Sequence, residues 1–120
     1  MKRTMGILLV LILSLTLCAC GKKSGTGWQE QYDLGVRYLS EGNYEEAVIA
    51  FTAAIKIDSK RPEAFLGRGS AYIGAGETAE NLAAAQADYE KALELDDTNA
   101  EAYLSLADVY ICLLYTSPSP

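Results

Sequence analysis

The 120-residue chain contains no histidine. That removes the commonest general base and the commonest transition-metal ligand. Basic residues are also few: ten Lys and Arg stand against sixteen Asp and Glu, a formal net charge of −6. Lys2, Arg3, Lys22 and Lys23 flank a single apolar run near the start, and beyond residue 19 eight basic residues face sixteen acidic ones. Such a surface repels nucleic acid and anionic head groups, so no nucleic-acid partner is expected and any membrane contact needs a separate anchor. The three cysteines, Cys18, Cys20 and Cys112, spell out no disulfide framework. No ligand cluster with metal spacing and no nucleophile motif occurs, so neither a catalytic residue, a metal site nor a cofactor is expected. Glu45-Glu46, Glu77/Glu80, Glu90/Glu94 and Asp96-Asp97 are paired carboxylates at helix starts, corners or solvent faces. There they read as solvated charge and not as acid–base machinery. Gly67-Arg68-Gly69 and Gly74-Ala75-Gly76 lack the preceding strand of a phosphate loop, and close packing and a turn explain them more simply.

What the chain does contain begins with targeting. Lys2 and Arg3 precede the apolar stretch Met5 to Leu17, which has the length of a signal-peptide core and is short for a spanning helix. Leu17-Cys18-Ala19-Cys20-Gly21 follows. An aliphatic residue three before a cysteine, a small one just before it and Gly after it resemble the lipobox of bacterial lipoproteins. The resemblance implies a signal peptide over 1–19, with Cys20 acylated and first in the mature chain. It also implies lipid anchoring on the extracytoplasmic face of a bacterial cell membrane, where several acyl chains hold stably. Cys18 departs from the Ser or Ala more usual at its position. Residues 20–27 then form a lipidated cysteine and a flexible polar tether.

A second pattern repeats. Gly35, Tyr38 and Gly42 recur as Gly69, Tyr72 and Gly76 at a shift of 34, and Ala47, Phe51, Ala54 and Asp58 recur as Ala85, Tyr89, Ala92 and Asp96 at a shift of 38. Self-similarity at this period marks a helical repeat. The spacing predicts a helix from Trp28 to Ser40 with Gln31, Leu34, Gly35 and Tyr38 on one face, a turn at Gly42-Asn43, and a second helix running out near Asp58. Asn43 with Glu46 reads as a capping box, as does Thr98 with Glu101. Pro62 suits the first turn of the next helix. The small residues Gly35, Ala47 and Ala54 let paired helices approach, while Tyr38, Tyr44 and Phe51 fill the space beside them.

Leu34, Gly35, Tyr38, Ala47, Phe51 and Ala54 together resemble the tetratricopeptide repeat, with Gln31 where Trp is usual and Ser59 where Pro is usual. The resemblance implies an all-α, right-handed helix-turn-helix solenoid of about two and a half repeats. The first repeat is placed at 28–61 and a lengthened second at 62–99, where Arg68 replaces the usual Leu. The first helix of a third is placed at 100–112. Register in the second repeat resumes only at Ala85, four residues late, which is about one helical turn. A second helix capped near Thr78 and running to about Leu95 explains this, and a longer loop is the alternative. Residues 113–120 are expected to be a non-repeat tail, since they have neither repeat register nor the polar outer face of a capping helix. They resemble translated adapter sequence at the edge of a truncated gene; a Pro-rich natural end is the other reading.

In this family the face beside the packing face of each first helix lines a concave groove for extended peptides or helices. The resemblance places Tyr32, Val36 and Leu39, then Leu66, Ser70 and Ile73, then Leu104, Asp108 and Ile111 along it. Tyr32 and Val36 stand where co-chaperone members carry the Lys and Asn that clamp a C-terminal carboxylate, so that ligand is disfavoured. The same residues would also serve to pack neighbouring repeats together. The expected function is a membrane-anchored, non-enzymatic scaffold whose partner is a protein or peptide in the groove. The alternative is an accessory module of a longer protein with an enzymatic or wall-binding domain.

Overall fold

The computed structural model describes residues 27–116, and every regular element among them is a helix. They are α1 (Gly27–Glu41), α2 (Tyr44–Ile57), α3 (Pro62–Ala75), α4 (Ala79–Leu95) and α5 (Ala100–Thr116). The expected signal peptide, Cys20, the tether up to residue 26, and residues 117–120 lie outside the described residues. Each helix packs against the next in sequence, and α1 also packs against α3. That pattern is a helical solenoid in which α1 and α3, the first helices of successive pairs, lie side by side.

Packing explains the repeat pattern. Phe51 of α2 is fully buried with Ala47 and Ala71, and partly buried Tyr32, Tyr38 and Leu39 close over them. Gly35 is where the two helices meet: a Cβ there would stand 2.7 Å from the Phe51 ring. The second pair repeats the arrangement, with a Cβ on Gly69 falling 2.7 Å from Tyr89. Alanine or larger at either glycine would overlap an aromatic ring, so each Gly and its ring form a matched pair. A larger cluster joins α3, α4 and α5 through Phe65, Leu66, Leu82, Ala85, Tyr89, Ala102 and Val109.

The helix ends are made in several ways. Gly42, at φ +79°, closes α1 with Gly42 N–H donating to Leu39 O and Asn43 N–H donating to Tyr38 O. This is the left-handed C-terminal closure for which glycine is suited. It also corrects the expected capping box at Asn43. Asn43 N–H closes α1 while its carbonyl accepts from Ala47 N–H of α2, and its side chain donates to Glu41 Oε2 and makes no cap bond to α2. Pro62 does open α3. Thr78 does cap α4, its Oγ1 accepting from Asn81 N–H at 3.1 Å. Three of the four extra residues lengthen the helix, 17 residues against the 14 of α2, and the fourth lengthens the corner before it. Leu82, in the added stretch, is completely buried. At α5 the cap is Asn99, whose Oδ1 accepts from Ala102 N–H. The expected box from Thr98 fails because that hydroxyl donates to Asp96 Oδ1 instead.

α5 continues through Thr116, past the boundary expected at 112. No Gly or Pro interrupts 100–116, and partly buried Cys112 and Leu113 pack on the large core cluster. Helical propensity and one row of core contacts thus carry the helix on without repeat register. Its other faces stay bare: Leu104 is 70% exposed and Leu114 77% exposed.

Candidate functional site

Side-by-side α1 and α3 bring Tyr32, Val36, Leu39, Leu66 and Ser70 around one cleft of about 160 Å³. Phe51 and Gly67 also line it, and Glu63 and Glu101 complete the lining. Ile73, Asp108 and Ile111 fall instead in a second cleft of about 340 Å³, with Glu77, Tyr89 and Ser105. The two adjoin through a hydrogen bond of 3.3 Å between Ser70 Oγ and Tyr89 OH. Leu104, on α5, borders neither cleft. A broader depression of about 430 Å³ beside Glu30, Asp33 and Arg37 is bordered by α1 alone and has no second wall.

The groove residues divide by burial. Leu66 belongs to the core cluster, and Leu39 and Ile73 pack partly against their own clusters, so these three hold repeats together as well as flooring the clefts. Val36 is 42% exposed and Asp108 is also exposed, which leaves them open to a ligand. The packing use anticipated for this face therefore occurs at Leu39, Leu66 and Ile73, while Val36 and Asp108 stay uncovered among the described residues.

Tyr32 holds the first cleft in place. Its ring stacks on Trp28 at 4.9 Å and 10°, and meets Phe51 at 5.8 Å in a tilted arrangement. Trp28 is buried against Ala54 and Ala64, and Arg61 lies over its ring with Cζ 4.4 Å from the centroid. Arg61 Nε also pairs with Asp58 Oδ2 at 3.1 Å. Burial pushes the Tyr32 phenol above its ordinary range, and the negative charges of Glu63, Glu101 and Asp33 push the same way. Tyr89 is raised chiefly by burial, while its hydrogen bonds to Ser70 and Ser105 pull it back.

Behind the clefts lies an ion pair that sequence reading did not find. Arg68 Nε donates to Asp88 Oδ2 at 2.9 Å, Nη2 donates to Asp88 Oδ1 at 2.7 Å, and Nη1 donates to Thr52 Oγ1 at 3.2 Å. Asp88 is only 4% exposed. The hydrogen bond to Asp88 raises the Arg68 pKa further. The fork fastens α2, α3 and α4 together in two-pronged geometry. The one visible signal was Arg68 at a position usually apolar. Glu63 and Glu101 were also missed. They lie 38 residues apart at equivalent places in the first turns of α3 and α5, so periodicity alone would have paired them. Trp28, which the sequence marks only as a helix start, takes its place in the stack from packing against Ala54 and Ala64.

Among the described residues no group of His, Cys, Asp and Glu is placed to hold a metal ion, and no helix is long and apolar enough to cross a membrane. Residues 35–76 match the family described as TPR repeat, and residues 62–99 match that described as tetratricopeptide repeat. Together the matches span more than half of the chain. The chain is also 36% identical over 83 residues to the peroxisomal targeting signal receptors of Komagataella phaffii and Komagataella pastoris. That similarity covers 68% of this chain and 14% of each receptor.

Proposed function

Because the chain belongs to the tetratricopeptide-repeat family, we propose that it is an interaction scaffold that docks a protein segment on the face formed by α1, α3 and α5. The observation that carries this reading is the first cleft. Five side chains from two non-consecutive helices meet there around exposed Val36, with an aromatic wall at Tyr32. A surface of this kind recognises an extended peptide or a helix by burying its apolar side chains. The similarity to receptors named for a targeting signal supports the same class of role, over the repeats only. The chain spans 14% of the length of those receptors.

The test uses the full chain in non-ionic detergent and a randomised peptide-display library. Val36→Glu should abolish capture of the selected peptides. Ile49→Glu, at a 69% exposed site on α2 outside both clefts, should leave capture intact. Equal effects of the two substitutions would count against docking on this face.

The scaffold is further proposed to be a bacterial lipoprotein, held to the extracytoplasmic face of the cell membrane through Cys20. The support is the run Leu17-Cys18-Ala19-Cys20-Gly21 after its apolar segment. Cys20→Ser should leave an unprocessed precursor that no longer enters the detergent phase on phase separation. Unchanged processing would overturn the anchor and leave the docking reading intact.

A further inference from the structure

The first cleft has a chemical bias that its apolar floor does not explain. Six basic residues occur between positions 27 and 116, namely Arg37, Lys56, Lys60, Arg61, Arg68 and Lys91, and none lines either cleft. Carboxylates line both: Glu63 and Glu101 the first, Glu77 and Asp108 the second. Glu63 and Glu101 have no ion-pair partner among the described residues, whereas Arg68 is held by Asp88 and Arg61 by Asp58. Their places in the first turns of α3 and α5 favour negative charge in any helix. The dipole does not explain why both line the same cleft as the Tyr32 ring.

The protein also shows how it holds a cation beside this aromatic stack. On the Trp28 side, Arg61 lies over the indole and pairs with the Asp58 carboxylate. On the Tyr32 side the same two elements are present, a ring and carboxylates, without a cation among the described residues. A ring face together with acceptor-only carboxylates is the set that a guanidinium or ammonium takes. At about 160 Å³ the cleft is below the roughly 300–1,000 Å³ usual for small-molecule sites. One long side chain suits it better.

We propose that this cleft binds a lysine or arginine side chain of an otherwise apolar segment of a partner protein. Its charged head sits between Glu63 and Glu101, and its aliphatic stem lies against Tyr32 and Val36. Glu77 and Asp108, lining the adjoining cleft, extend the same preference toward α5. This rests on the docking reading above and adds the chemistry of what docks.

The experiment sequences the library peptides whose capture by the full chain is lost on Val36→Glu. It then measures synthetic versions against E63Q/E101Q and against E45Q/E46Q, which removes the same charge from exposed sites outside both clefts. The expected result is enrichment of Lys or Arg beside apolar residues. Affinity should fall about tenfold in E63Q/E101Q, the scale of two partly screened ion pairs, and by less than twofold in E45Q/E46Q. Far-UV circular dichroism confirms that the variants are folded, and E63D/E101D should restore part of the affinity. Equal losses in both double variants would mean attraction to the acidic surface at large and would overturn the proposal. Cleft-dependent peptides without a basic residue would overturn it too, leaving docking in place. No cleft-dependent peptide at all would overturn both.

Discussion

Replacing Arg68 by leucine restores the residue usual for the family and should nevertheless destabilise the protein severely. Asp88 is 4% exposed, and Arg68 supplies two of its hydrogen bonds, at 2.7 and 2.9 Å. Arg68→Leu leaves that carboxylate buried without its counter-ion, and breaking a buried pair from one side costs about 3–5 kcal/mol. A domain of this size has roughly 5–13 kcal/mol of stability in all, so the single variant should be close to unfolding. Arg68→Leu with Asp88→Ala removes both charges, and such exchanges for apolar residues are often neutral or better by about 1–4 kcal/mol. The double variant should therefore be clearly more stable than Arg68→Leu alone. Urea unfolding of the wild type, both single variants and the double variant, followed by circular dichroism, closes the cycle. If Arg68→Leu alone unfolds at the wild-type midpoint or above it, the ion pair does not fasten the repeats and the reasoning fails.

Gly35→Ala should destabilise although alanine is the better helix former by about 1 kcal/mol. Its Cβ would sit 2.7 Å from the fully buried Phe51 ring, and overpacking costs about 1–3 kcal/mol. Gly69→Ala should do the same against Tyr89, and Phe51→Leu should relieve Gly35→Ala but not Gly69→Ala, read as shifts in melting temperature. Thr78→Ala should cost about 0.5–2 kcal/mol as a lost cap, whereas Asn43→Ala should be almost silent, since its side chain makes no cap bond. For alkaline pH the sign follows from Tyr32 and Tyr89, whose pKa values lie above the ordinary value near 10 in the folded chain. The stability they contribute is fully present below that value and is lost as pH rises through the folded pKa values. Ultraviolet titration should show late ionisation from Tyr32 and Tyr89, and Tyr32→Phe should remove the Tyr32 contribution.

Much of the fold could be read because the repeat places the same small and large residues at the same offsets. Gly35 with Phe51 and Gly69 with Tyr89 are matched across helices, and a recurrence of 34 and 38 exposes both. The extra turn of α4 was also legible, since Thr78 and the absence of a breaker mark it. The caps at Asn43 and Thr98 depart from the sequence expectation for a shared reason. Each has neighbours that compete for it, the closing turn at Gly42 in one case and the Asp96 carboxylate in the other. The end of α5 was missed because repeat register is a family property, whereas helix continuation needs only propensity and the contacts of Cys112 and Leu113. At the candidate site, Tyr32, Val36, Leu39, Leu66 and Ser70 do gather around one cleft. Their division into core and open surface depends on how closely α1 and α3 pack, which a single strand of letters does not state. The fork from Arg68 to Asp88 joins residues 20 apart on different helices, beyond any local pattern.

Docking of a partner segment on the face shared by α1, α3 and α5 has a direct spectroscopic signature. Amide chemical-shift mapping on the isotope-labelled full chain, titrated with a library-selected peptide, reads it residue by residue. Shifts should centre on Val36, Ser70, Glu63 and Glu101, with Ile49, Glu45 and Glu94 unmoved. Shifts centred on Ile49 and the outer faces of α2 and α4, with the cleft unmoved, would contradict it.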